Sequence, residues 1–256
     1  MSFFRLLRAI NRRWLLLALV LFLLLLLMTI PARIIGSVLP SQLALDGISG
    51  TLWQGQAARA RFKLPQGDFV LGRITWQLNP FSLLLFKPTV QLETRWGGQR
   101  FVGELIVRGR ESFDMNQVSA QVDVALARRF APLYIGGSLR AEIGSLRVTD
   151  QRLHSMQGRL TWQNAAWTAN SGDVALGTYV LDINGQSGEV TGEVVTLSGE
   201  LAVAGNVSLT DRRYKVALNL AGPATNNQGL RDALVIMAVP NGRGFDVIFE
   251  GALTAN

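Results

Sequence analysis

The sequence predicts a mainly β protein: a single N-terminal transmembrane helix followed by a long antiparallel β-sheet. Three observations carry this. An uncharged, leucine-dense stretch runs from Trp14 to Ala32 between Arg13 and Arg33. Beyond residue 50, apolar and polar residues alternate with period two again and again. Turn signals separate these runs: Gly97-Gly98, Gly136-Gly137, Asn170-Ser171-Gly172-Asp173, Asn184-Gly185 and Gly205-Asn206.

At ~1.5 Å rise per helical residue, the stretch 14–32 covers about 28 Å, close to a bilayer's hydrocarbon core. Arg5, Arg8, Arg12 and Arg13 precede it and only Arg33 directly follows. The positive-inside rule then places residues 1–13 in the cytoplasm as a short tail. A cleaved secretory signal shares the basic start and apolar centre. Here, however, the apolar region exceeds the usual length of about 7–15 residues, and Met28-Thr29-Ile30-Pro31-Ala32 is a poor small-x-small site. The expected anatomy is a signal-anchor helix over 14–32, a connector over 33–47 and a β-domain over 48–256. In a Gram-negative cell this means an inner-membrane, single-pass protein with its main domain in the periplasm.

Strands are expected near 55–64, 68–78, 88–96, 100–109, 116–126, 138–149, 152–163, 173–183, 187–197, 198–209, 213–221 and 244–252. Val118, Ala120, Val122, Val124 and Leu126 share one face, opposite Ser119, Gln121 and Asp123. Leu201, Val203, Val207 and Leu209 line another. Such strands bury one side and wet the other, as antiparallel meanders do. Helix is scarce: a short turn within Ala125–Tyr134, broken at Pro132, and a short helix over Gln228–Ala238 with Leu230, Leu234 and Met237 on one side. A dozen strands must curl, close or split to hide their apolar face.

The formal charge of +7 invites a nucleic-acid reading, which its distribution removes. Five of the 25 basic residues fall in residues 1–33, leaving 20 against 18 acidic ones in the remainder. A nearly neutral domain with scattered bases offers no footprint for a phosphate backbone, so no nucleic-acid partner is expected. The absence of cysteine excludes disulfides, thiol nucleophiles and Cys-based metal sites. One histidine, His154, cannot form a His-based metal cluster, and its place in a predicted strand suits a solvated side chain better than a general base. There is no G-x-S-x-G elbow, no G-x-x-x-x-G-K phosphate loop and no Ser-x-x-Lys pair. The expectation is a protein that is not an enzyme, with no catalytic residue, metal or cofactor.

Gly72-Arg73-Ile74-Thr75-Trp76-Gln77 recurs as Gly158-Arg159-Leu160-Thr161-Trp162-Gln163. Chance in a strand-rich chain is one reading; two related β-halves, 48–115 and 135–256, is the preferred one. More distinctive is Ile48-Ser49-Gly50-Thr51-Leu52-Trp53-Gln54-Gly55-Gln56-Ala57, followed by the segment Leu71–Leu85 with Gly72, Trp76, Pro80, Leu83 and Leu84 in order. These segments resemble the type II secretion system protein N family, with its G-T-L-W-x-G stretch and its L-G-x-x-x-W-x-L-x-P-x-x-L-L segment. The short basic tail, the single span and the Gly242-Arg243-Gly244 turn extend the resemblance over essentially the whole chain. The family is similar in pattern to AsmA-like proteins, which implies an open, curved, taco-like (U-shaped) sheet rather than a closed barrel. It also implies a membrane-anchored secretion component whose partners are the inner membrane and other type II secretion components. Phospholipid held by an AsmA-like groove is the alternative.

The motif residues admit a physical account. Gly50 and Gly55 bracket a tight bend presenting Trp53, which could pack on Trp76. Pro80 ends a strand because it cannot donate to a ladder. Phe81–Phe86 is an uncharged apolar run that reads either as a buried strand or core helix, or as a contact surface for membrane, partner or groove mouth. The candidate contact residues are therefore Gly50, Thr51, Leu52, Trp53, Gly55, Gly72, Trp76, Pro80, Leu83 and Leu84.

Overall fold

Among the described residues, fourteen strands form a single antiparallel sheet in the computed structural model of this chain. It describes residues 12–39, 41–64, 67–109, 111–129, 135–169, 172–211, 213–242 and 244–252. The strands are β1 (Leu43–Gly50), β2 (Gln54–Leu64), β3 (Gly67–Leu78), β4 (Thr89–Trp96), β5 (Gln99–Val107), β6 (Phe113–Asp123), β7 (Ile135–Thr149), β8 (Arg152–Ala169), β9 (Gly172–Gln186), β10 (Glu189–Gly199), β11 (Ala202–Thr210), β12 (Arg213–Ala221), β13 (Val239–Asn241) and β14 (Gly244–Ala252). Each pairs with its sequence neighbour as far as β12. There β14 inserts beside β12 and the three-residue β13 takes the outer edge. The sheet is open, with β1 and β13 as its edges, so the meander does not close into a barrel. β-Bulges interrupt the β2–β3, β5–β6, β7–β8, β8–β9 and β9–β10 ladders. Each adds local twist, which a sheet this wide needs in order to cover its own apolar face.

The alternation read from the sequence survives residue by residue. In β6 and just beyond, Val118, Ala120, Val122 and Val124 are shielded while Ser119, Gln121 and Asp123 are exposed. Two apolar clusters result. One, at the start of the sheet, gathers Ala32, Ala57, Ala60, Ile74 and Trp76. The other lies under helix α4 (Gln228–Met237), which sets Leu230 and Leu234 against Leu176, Tyr179, Leu201, Leu220, Phe245 and Val247. Asn227 caps that helix, accepting from the Leu230 amide at 3.1 Å.

Several boundaries depart from expectation. Helix α1 runs Arg12–Met28, 17 residues, and not to Ala32. Thr29 turns the chain out of it, and Pro31 lacks the amide a continuing helix needs. At ~1.5 Å per residue α1 is about 26 Å long, and among the described residues no helix is long and apolar enough to cross a membrane. Arg5 and Arg8, half of the basic tail, lie outside the described residues. The expected connector 33–47 is largely structured: a 3-10 turn (Ala32–Ile34), the single-turn α2 (Ile35–Val38), then β1 from Leu43. Asp46 and Gly47, expected in the connector, lie inside β1: Gly47 takes φ +68° opposite Ala58, in unbroken register with β2, and a Cβ there would lie 3.0 Å from that of Ala58. The expected turn at Ala125–Tyr134 begins as a 3-10 helix over Val124–Arg129, and the remainder, Pro132 included, lies outside the described residues. So do Asn170, Ser171 and Arg243 in two of the predicted turns.

Candidate functional site at the helix–sheet junction

The β1–β2 turn is built by its own residues. Gly50 takes φ +93°, and a Cβ there would lie 2.6 Å from the Gln54 carbonyl. The Thr51 amide donates to that carbonyl at 2.8 Å, and the Thr51 hydroxyl accepts from the Gln54 amide at 3.2 Å. This compact turn then ties three elements together. Trp53 Nε1 donates to the Leu27 carbonyl in the last turn of α1 at 2.8 Å. The Leu52 amide donates to Ile30 O at 2.8 Å, and Pro31 bridges to Thr51. On the sheet side, the Leu78 amide donates to Trp53 O at 2.7 Å and Trp76 Nε1 to Leu52 O at 3.3 Å. The last carbonyls of a helix have no partner within it; here an indole from the sheet supplies one.

Trp53 and Trp76 thus serve different neighbours. Trp76, 5% exposed, lies over Gly55, where any Cβ would overlap its ring. That explains why the bend carries glycine at both ends. Gly72, with φ +76°, lies six residues before the end of β3, under the backbone of Arg95 and away from the junction. Of the residues singled out from the sequence, Gly50, Thr51, Leu52, Trp53, Gly55 and Trp76 meet at the junction, and Pro80, Leu83 and Leu84 follow on the adjoining loop.

That loop joins β3 to β4 through α3 (Pro80–Leu84). Asn79 caps it, accepting from the Phe81 amide at 3.0 Å, with Pro80 at the first helical position, where its missing amide costs nothing. Ser82 is buried: its hydroxyl donates to Asn79 O at 2.5 Å and accepts from the Thr89 amide at 2.9 Å. The loop is pinned from inside while its large side chains point away. Phe81 is 73% exposed, Leu84 75%, Leu85 73% and Phe86 90%. The core-helix reading of Phe81–Phe86 is therefore overturned, because the polar Ser82 takes the buried position and the apolar residues face outward.

Other places among the described residues also have site-like geometry. An apolar cavity of about 300 Å³ lies between α4 and the sheet, lined by Trp162, Trp167, Leu176, Tyr179, Leu218 and Leu234 among others. Tyr179 donates its hydroxyl to Leu201 O at 2.9 Å, and burial pushes its pKa up to about 12. A surface depression of about 690 Å³ is lined by Glu142, Arg159, Asp182, Glu193 and Asn206 among others. Arg159, three positions before Trp162, falls on the other face of β8. Its two-point ion pair with Asp182 (2.6 and 3.0 Å) holds that carboxyl below the usual range. Near the end of the sheet where α1 joins, Asp114 is buried between Arg108 (2.7 Å) and Arg147 (3.2 Å). His154 is exposed on β8, and among the described residues no group of three His, Asp or Glu side chains could hold a metal ion. Sequence reading missed the Asp114 cluster and the cavity, since both assemble from residues on several strands; only the Leu230–Leu234–Met237 spacing hinted at the cavity's lid.

Comparison with known proteins adds an independent line. The family described as "Type II secretion system (T2SS), protein N" matches residues 41–247, a span that begins after α1 and includes the whole β1–β2 turn. The type II secretion system protein N of Aeromonas hydrophila is 26% identical over 229 residues, 84% of this chain and 86% of that one. Its counterpart from Vibrio cholerae serotype O1 is 29% identical over 216 residues, covering 80% and 83%. The Pectobacterium carotovorum protein is 25% identical over 187 residues, covering 71% and 72%. No solved structure matches.

Proposed function

Since the chain belongs to the type II secretion system protein N family, we propose that it is a non-enzymatic, inner-membrane-anchored component of that machine, with its sheet in the periplasm. The sheet contacts other machine components or cargo during export across the outer membrane. The observation that carries the anchoring is the junction itself. Helix α1 exposes nearly every large apolar side chain it carries, from Trp14 to Met28, and its end is bonded into the sheet through Leu27, Ile30 and Trp53. A helix apolar on all sides is stable in lipid and costly in water. The uncharged stretch continues through Thr29–Ala32, so the apolar length exceeds the helical length. Four arginines before it and one after it set the cytoplasmic side.

Deleting the gene and measuring export of folded type II substrates tests the reading. Reduced export together with co-purification of inner-membrane platform components is the expected result. Unchanged export with no platform component retained would overturn it.

A second reading, a groove that binds phospholipid, is favoured by the wholly apolar lining of the cavity under α4. It predicts phospholipid in mass spectra of the full-length protein extracted in mild detergent and washed into polymer. Lipid lost on Leu234→Trp, which fills the cavity, would support it; lipid bound equally by that variant would sink it.

A further inference from the structure

We propose that the loop between β3 and β4 is a second membrane contact, its Phe81, Leu84, Leu85 and Phe86 side chains seated in the acyl region of the leaflet beside the outer end of α1. This rests on α1 being the membrane anchor.

The position is dictated by topology. Because the sheet is an antiparallel meander, the β1–β2 turn and the β3–β4, β5–β6, β7–β8, β9–β10 and β11–β12 connections all leave the same end of the strands. That is the end at which α1 joins, through Trp53 and Leu27. Met28 of α1 and Phe81 of the loop line one depression of about 550 Å³, so the loop is the anchor's direct neighbour.

The chemistry changes along this edge as a membrane contact requires. The loop has no charge from Asn79 to Phe86, and Lys87 follows at once. Farther along, the connections are polar: Arg108-Gly109-Arg110-Glu111-Ser112, Asp150-Gln151, Ser187-Gly188 and Asp211-Arg212. Large apolar side chains thus occur in the connection beside the anchor and disappear with distance from it. A partner protein could cover an apolar patch anywhere on the edge, whereas lipid is present only where α1 emerges. Lys87 suits the boundary, since a lysine stem can lie along apolar surface while its ammonium reaches the headgroups. The loop is also preorganised. The Asn79 cap and the buried Ser82 hydroxyl hold it with its apolar side chains outward before any contact, so little ordering remains to be done on insertion.

The test uses the full chain in vesicles of phosphatidylethanolamine and phosphatidylglycerol. The protein has no cysteine, so Leu85→Cys, Leu21→Cys and Ser187→Cys each carry a single environment-sensitive fluorophore. Nitroxide lipids of known depth then quench it. All three positions are exposed, so the labels leave the core untouched. Expected are a blue-shifted Leu85 reporter quenched several-fold more by shallow nitroxides than the Ser187 reporter, and a Leu21 reporter quenched by deep ones. A Leu85 reporter in water beside a lipid-buried Leu21 reporter would overturn the second contact alone. A Leu21 reporter in water would overturn the anchor reading and this one with it. A Leu85 reporter shielded in native membranes but wet in pure vesicles would assign the loop to a protein partner and reject the lipid contact.

Discussion

The indole nitrogen of Trp53 lies 2.8 Å from the carbonyl oxygen of Leu27, joining the first turn of the sheet to the last turn of α1. The bond spans 26 residues of chain and gives the Leu27 carbonyl, which otherwise accepts only a long 3.5 Å bond from the Ile30 amide beyond the helix end, a short partner. It converts a tethered domain into one with a set orientation to its helix.

Trp53→Phe keeps the ring and removes the donor. We expect a loss of about 1 kcal/mol at the junction and, more tellingly, a looser helix–sheet angle. Pairs of spin labels on α1 and β2 should show a broadened distance distribution, with the rest of the sheet unchanged by circular dichroism.

Gly55→Ala should be far worse than its single methyl suggests. The added carbon would overlap the Trp76 ring and approach the Ser49 carbonyl to 2.9 Å. Relieving this moves a buried tryptophan or the β1–β2 turn, at about 1–3 kcal/mol. Gly98→Ala, with nothing within 4 Å of the new carbon, is the matched control. Thermal melts of the two variants should differ by several degrees.

Asp114 makes the fold acid-sensitive. Burial raises its carboxyl, but hydrogen bonds and charges from Arg108 and Arg147 outweigh that and hold it below the usual carboxylate range. With the folded value below the unfolded one, the stabilisation is present above about pH 4 and fades as pH falls through the folded value. Asp114→Asn should cost about 1–3 kcal/mol at neutral pH, less than a fully enclosed pair because both arginines reach solvent. It should also flatten the acid limb of the stability curve below about pH 4, read by chemical denaturation.

Helix α4 provides a contrast within one turn. Leu234 is 7% exposed under the lid and Ile236 is 87% exposed outside it. Leu234→Ala should lose about 2–5 kcal/mol through cavity formation, and Ile236→Ala should stay within about 0.5 kcal/mol. Equal effects in urea melts would mean α4 does not cover the sheet as described.

Much of this was legible in the chain, for reasons visible in particular residues. Val118 to Val124 alternate with Ser119 to Asp123 because a strand's side chains must alternate, so most strands could be placed to within a few residues, although β8 runs on to Ala169 and β13 was not anticipated. The short helix over 228–238 declared itself by Leu230 and Leu234. β1 was hidden by Asp46 and Gly47, which belong by composition to a connector, although the ladder with β2 runs past them without a register shift. The Phe81–Phe86 run was ambiguous because an apolar run states that something must cover it, not what. The Arg108–Asp114–Arg147 cluster carries no local signature, since its members are brought together only by the pairing of β5, β6 and β7.

The antiparallel meander, the near-neutral character of the β-domain and the family were therefore legible in the sequence by itself. Periodicity, turn residues and charge are local properties, readable without coordinates. The family resemblance implied an open sheet, as found; the tertiary structure alone decided that β13 takes the outer edge, that Trp53 bonds back to Leu27 and that the apolar loop faces outward beside α1. Each of these depends on which distant residues share a face or an edge, and that is set by register and twist accumulated over fourteen strands.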